Sequence, residues 1–126
     1  MDKNTLIEIA KKHCKPRRKD HNISIGEVAS ALITSAGNIY TGVSIVVPCG
    51  MGFCAEHAAI AEMLKNNESE ISLIVAVTEN GVVPPCGRCR EFIRQINPVN
   101  YNITHVILSD GIIPLKSLLP NPFSLY

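Results

Sequence analysis

The sequence predicts a three-layer α/β domain built on a mixed sheet. Three features carry that prediction. Ile71 to Thr78, ISLIVAVT, is almost continuously apolar, as expected of a strand covered on both faces. Helical and strand patterns alternate in the order α-β-β-α-β-α-β. The later strands are joined through helices, connections long enough to bring parallel strands side by side. A chain of 126 residues has room for one core, so residues 1–126 are read as a single domain.

The elements follow in order. Leu6, Ile7, Ile9 and Ala10 fall at helical spacing and lead into Lys11 and Lys12, cations that suit a helix C-terminus; Pro16 should end this helix. The basic run Lys11 to Lys19 reads as a solvated helix end and loop. Ile23 to Ile33 and Ile39 to Val47 are strand-like and flank Ala36-Gly37-Asn38, which predicts a hairpin. Pro48 to Gly52 breaks the second strand. Phe53 to Leu64 carries Ala, Ile, Met and Leu at helical spacing, closed by Asn66-Asn67. That helix is apolar nearly all round, so part of it is expected to meet another subunit. After the central strand, Pro84-Pro85 bars further pairing, and Cys86 to Ile96 resumes a helical pattern with Phe92, Ile93 and Ile96 on one face. Thr104 to Leu108 reads as a strand, Asp110-Gly111 as a turn, and Leu115 to Leu119 as a short helix before Pro120.

Composition removes several classes of function. With 46% hydrophobic and 18% charged residues the chain is not of the disordered type. A formal net charge of +1 supplies no field for holding a nucleic acid polymer. Asp2, Lys3, Asn4 and Glu8 interrupt the N-terminal apolar positions, unlike a secretion signal, and no run approaches the roughly 18 apolar residues of a membrane span. A cytoplasmic protein without membrane contact is expected. Five cysteines cannot all pair internally, which favours reduced thiols that bind metal.

The chemistry concentrates at two predicted helix starts: Cys54-Ala55-Glu56 opens one, and Pro85-Cys86-Gly87-Arg88-Cys89 opens the other. Helices that follow successive strands have their N-termini at the strands' carboxyl ends, so these three sulfurs can converge. The helix amides there should lower the thiol pKa values. Three thiolates can hold Zn²⁺ tetrahedrally with one position left for water, the mark of a catalytic site. Glu56, two residues after a ligand, would stand beside that water as general acid and base. The pair of motifs matches the [HC]-x-E and P-C-x-x-C pattern of zinc deaminases.

On these residues the sequence resembles the cytidine deaminase superfamily in its three-cysteine form, which acts on free small molecules. Val28-Ala29-Ser30-Ala31 through Tyr40-Thr41-Gly42-Val43 is similar to the corresponding hairpin of blasticidin S deaminases. The resemblance implies a sheet of five strands, one Zn²⁺ per chain held by Cys54, Cys86 and Cys89, and Glu56 as proton shuttle. It further implies that the backbone around Ala55 touches the pyrimidine ring, that the partner is a small-molecule substrate, and that the protein is a homotetramer.

The sequence departs from the family in its expected substrate contacts. Ser44 and Val46 stand where cytidine deaminases carry the Asn and Glu that grip ribose hydroxyls, Gly26 stands at the stacking Phe, and Asn80 stands where blasticidin S deaminases have a basic residue. His57 replaces an Arg that supports the thiolates and is expected to take over as donor; Arg90 should support the thiolates or nearby backbone. Ser44 remains a substrate-binding candidate, and Phe123 and Tyr126 in the tail are candidates to cover a cytosine ring. Two other readings compete. His57 or Cys49 would complete a closed structural zinc site, which leaves Glu56 unexplained; or Cys86 and Cys89 are a redox pair, which leaves Cys54 and Glu56 unexplained. Cys14 and Cys49 are expected to be small buried hydrophobes, and His13, His21 and His105 to lie outside any site.

Overall fold

The computed structural model describes residues 2–19 and 22–125. Helix α1 (Lys3–His13) is capped by the Asp2 carboxylate, which accepts the Thr5 N–H at 2.8 Å, and ends on Lys11, Lys12 and His13. Strand β1 (Arg17–Lys19) precedes the long hairpin of β2 (Ile23–Thr34) and β3 (Ile39–Val46). Then come α2 (Ala55–Lys65), the central β4 (Ile71–Thr78), a short β5 (Gly81–Val83), α3 (Gly87–Ile96), α4 (Asn100–Ile103), β6 (His105–Leu108) and β7 (Gly111–Pro114). A 3₁₀ turn at Pro48–Gly50 follows β3, and another at Leu115–Leu118 follows β7.

Five strands run in the order β3-β2-β4-β6-β7, as the pairings of β2, β4 and β6 require. β4 and β6 are parallel and joined through α3 and α4; the other pairs are antiparallel, so the sheet is mixed. Among the described residues the sheet has seven strands where five were expected, because the short β1 and β5 pair with the ends of the interior strands β2 and β4. β1 pairs with Ile23 to Ile25 of β2, and β5 with Ala76 to Thr78 of β4. Arg17-Arg18-Lys19 has no apolar alternation and is fully exposed, which hides an edge strand from any periodicity argument. Pro84 stops β5 where the sequence placed the end of pairing.

The alternation along the strands divides the core into two. Leu6 and Ala10 of α1 pack on Ala29, Ala31, Val75, Val77 and Ile107 on one face. Ala59, Ile60 and Met63 of α2 and Ile93 of α3 pack on Leu32, Ile74 and Val106 on the other, which produces the three layers. Gly42 of β3 lets α2 approach closely: a Cβ there would run into the Ala59 backbone nitrogen. This contact seats the start of α2 against the sheet, next to the carboxyl end of β4.

Candidate active site

Cys54 and Cys86 are the N-caps of α2 and α3, both in extended backbone and neither making a side-chain cap bond; the helices begin one residue later than each cysteine. Cys89 lies in the first turn of α3 and is buried. The two helix starts bring the sulfurs of Cys54 and Cys86 to 3.6 Å and those of Cys86 and Cys89 to 3.5 Å, and all three lie within 4.8 Å of one another. Tetrahedral coordination with Zn–S bonds of about 2.3 Å separates sulfurs by about 3.8 Å, so the triad fits a zinc ion with little adjustment. Neither His57 nor Cys49 joins this group among the described residues, which argues against a closed four-ligand site.

Burial reverses part of the expected electrostatics. It pushes the Cys54 thiol up, and pushes Cys89 up much further with help from Glu56 and the neighbouring sulfurs. Only Cys86 falls below its usual value: burial acts against ionisation there too, but the hydrogen bonds of Cys89, Cys54 and Arg88 outweigh it. Helix amides alone therefore do not ionise this cluster. Three crowded sulfurs of this kind are stabilised as anions by a dication at their centre. Glu56, 4% exposed, is also held above the usual carboxylate range, chiefly by burial.

Cys54, Cys86 and Glu56 line a cavity of about 420 Å³ together with Ala55, Ser44 and Arg88, while Cys89 is buried and outside the lining. Two antiparallel backbone hydrogen bonds between Ile45 and Phe53, at 3.0 and 2.9 Å, tie the residues before α2 to β3 and close one wall.

His57 lies with its Nδ1 3.5 Å from the Cys89 sulfur. Its ring stacks on Phe92 at 4.3 Å and 2°, a partner that periodicity assigned only to the core. Burial, and then the charge of Arg88, keep this imidazole below its usual pKa. Arg90 supports backbone: its Nε donates to the Pro85 carbonyl at 2.9 Å and its guanidinium to Leu118 at 3.2 Å, fixing the turn before Cys86. Ser44 is buried, lines the cavity and accepts the Val28 N–H at 3.0 Å.

Phe123 is not among the cavity-lining residues. It is exposed, and its backbone is tied to α3 by the Glu91 carboxylate at 2.7 Å and the Arg94 guanidinium at 3.1 Å. Tyr126 and His21 lie outside the described residues. Cys14 is partly buried, as expected, but Cys49 is exposed, because it occupies the 3₁₀ turn with φ 64° rather than a packed strand. His13 and His105 are exposed and away from the cavity. No helix among the described residues is long and apolar enough to cross a membrane.

A three-layer fold with three converging thiols and a buried acid on a cavity is the arrangement of a zinc-dependent hydrolase of the deaminase class. Residues 1–105 match the cytidine and deoxycytidylate deaminase zinc-binding region, and the chain belongs to that family. It is 31% identical over 103 residues to blasticidin-S deaminase of Bacillus cereus, covering 74% of this chain and 71% of that one. It is 28% identical over 102 residues to cytidine deaminase of Halalkalibacterium halodurans, covering 78% and 77%. In fold it is similar to the crystal structure of Mycobacterium tuberculosis cytidine deaminase, with a TM-score of 0.81, 22% identity and 99% of each chain covered.

Proposed function

We propose that this protein hydrolyses the exocyclic amino group of a cytosine-containing small molecule, with a sugar that is modified or absent, to give the uracil form and ammonia. The observation that carries this reading is the convergence of the three sulfurs at a cavity that Cys54, Cys86 and Glu56 line. Zinc held by Cys54, Cys86 and Cys89 would supply the Lewis acidity that makes a water molecule nucleophilic near neutral pH. Glu56 accepts a proton at its carboxylate and returns it to the substrate, so that water is consumed and ammonia leaves. The Ala55 backbone meets the ring, and His57, steadied by Phe92, donates to the Cys89 sulfur and draws off part of its negative charge.

The unusual sugar follows from the wall formed by β3. Ser44 already accepts a backbone N–H, and Val46 offers no polar group, so on this wall ribose hydroxyls lack the partners that give strong selectivity. A substrate of the blasticidin S type is the second reading, favoured by the relative at 31% identity. We place the enzyme in the cytoplasm as one domain that assembles into a homotetramer. Five free cysteines suit a reducing compartment, and Val46, Met51 and Phe53 expose apolar surface near the cavity that a neighbouring subunit would cover. A screen of cytosine, cytidine, deoxycytidine and blasticidin S by ammonia release tests the reading. Turnover of at least one is expected. Cytidine kcat/KM above roughly 10⁵ M⁻¹s⁻¹ would overturn the claim about the sugar, and no release from any of them by zinc-loaded protein would overturn the activity.

A further inference from the structure

The register of β2 against β3 breaks between Ile25 and Ala29. Within the break Gly26 takes φ +78°, and a Cβ there would lie 2.9 Å from the Lys15 carbonyl oxygen, so the irregularity depends on glycine. Two side chains from outside the bulge meet its backbone. The Val28 N–H donates to Ser44 Oγ at 3.0 Å, and the Cys14 sulfur approaches the carbonyls of Gly26 and Glu27 at 3.8 and 3.7 Å. Ser44 and Cys14 thus acquire a common task in holding this bulge.

The bulge has a consequence for the cavity. Successive residues of a regular strand point to opposite faces, yet Glu27 and Val28 both line the cavity. Glu27 is exposed at the mouth, and Ser24 Oγ donates to its Oε1 at 2.9 Å, which orients the carboxylate. Among the described residues no ion pair neutralises it; Arg88, the cation in the lining, is not bridged to it. The deamination chemistry does not need Glu27.

We propose that Glu27 is a specificity-determining residue that selects substrates carrying a hydrogen-bond-donating, cationic group, an amine or guanidinium, on the part that projects from the cavity beyond the cytosine ring. This rests on the reading of the site as a cytosine deaminating centre. An ionised carboxylate only accepts hydrogen bonds, so its complement is a donor, and a charged donor makes the stronger bond. A phosphate in the same place would meet the like charge of the Glu27 carboxylate.

The test uses cytosine nucleosides that differ only in a 5′ amine, hydroxyl or phosphate. Their turnover is measured on the zinc-loaded enzyme, and their binding on the zinc-loaded Glu56→Gln protein. The expected order of kcat/KM and of affinity is amine, hydroxyl, phosphate. Glu27→Gln should reduce the preference for amine over hydroxyl by about tenfold, with the change in KM, and Glu27→Lys should shift preference to the phosphate. Glu62→Gln, whose side chain pairs with Lys65 on the surface, is the control and should leave the order intact. An unchanged order in Glu27→Gln, or a wild-type preference for the phosphate, overturns the proposal and in the second case points to Arg88. If no compound is turned over but the order of affinity holds and depends on Glu27, the selection stands and the deaminase reading fails.

Discussion

The two ends of β4 gather polar side chains for opposite purposes. At its amino end, the fully buried Asn100 accepts the Ile71 N–H at 2.9 Å and donates to the carbonyls of Ser69 and Ile93, both at 3.0 Å. Thr104 donates to the Ile71 carbonyl at 2.7 Å, and Asn97 to Ser69 Oγ at 3.0 Å. Each group is satisfied by the chain itself, and the knot joins β4 to α3, α4 and β6. At the carboxyl end, Cys54, Cys89 and Glu56 are held where burial opposes their ionisation. One end gains stability from its polar groups; the other gives up stability to keep reactive groups poised for a metal and a substrate.

The contrast can be broken most directly at the sulfurs. Cys89→Ala should lose the zinc and all turnover, whereas Cys49→Ala should retain about one zinc per chain. Metal analysis decides this, and full retention in Cys89→Ala would remove the assignment. Next in size, Glu56→Gln should lower kcat by roughly 10² to 10⁴ with zinc retained and thermal stability unchanged or raised, since a buried carboxyl is replaced by a neutral isostere. A marked fall in melting temperature would place Glu56 with the structural groups and break the comparison.

At the other end the expectation inverts. Asn100→Ala leaves the Ile71 N–H and two carbonyls without their partner, and should cost about 3 kcal/mol in urea unfolding while kcat stays within about twofold for the folded fraction. A large loss of activity at full stability would show that the ends are coupled.

The smallest effect lies near the same end, where Tyr40 donates to the Glu68 carboxylate at 2.6 Å. That bond pushes the Tyr40 hydroxyl from 10.0 up to about 12. The side chains of Thr34 and Tyr40 hold Glu68 below its usual 4.5. A raised tyrosine pKa stabilises the fold fully below pH 10 and is lost as pH rises through 12; a lowered carboxyl pKa stabilises above 4.5 and is lost as pH falls. The stability difference between wild type and Tyr40→Phe should therefore be level between those limits and shrink on either side. Urea midpoints across pH test this, and a difference that grows in acid would contradict it.

The sequence by itself determined the alternation of helices and strands, the central place of Ile71 to Thr78 and the Cys54, Glu56, Cys86, Cys89 constellation. Each of these is a local pattern: a period, a breaker, or a spacing along one helix turn. The long hairpin and the parallel crossover followed from the same signals. Tertiary structure decided what depends on neighbours distant in the chain. It made an edge strand of Arg17-Arg18-Lys19, because pairing with Ile23 to Ile25 supplied the ladder that its side chains could not advertise. It placed Phe92 under His57 and Phe53 against Ile45, contacts between elements whose separation in sequence carries no period. It turned Glu27 into the cavity through a bulge held by Ser44 and Cys14. It also reversed the expected direction of the Cys54 and Cys89 pKa values. Helix position can be read from sequence, but desolvation is a property of everything packed around a group, and it exists only once the chain has folded.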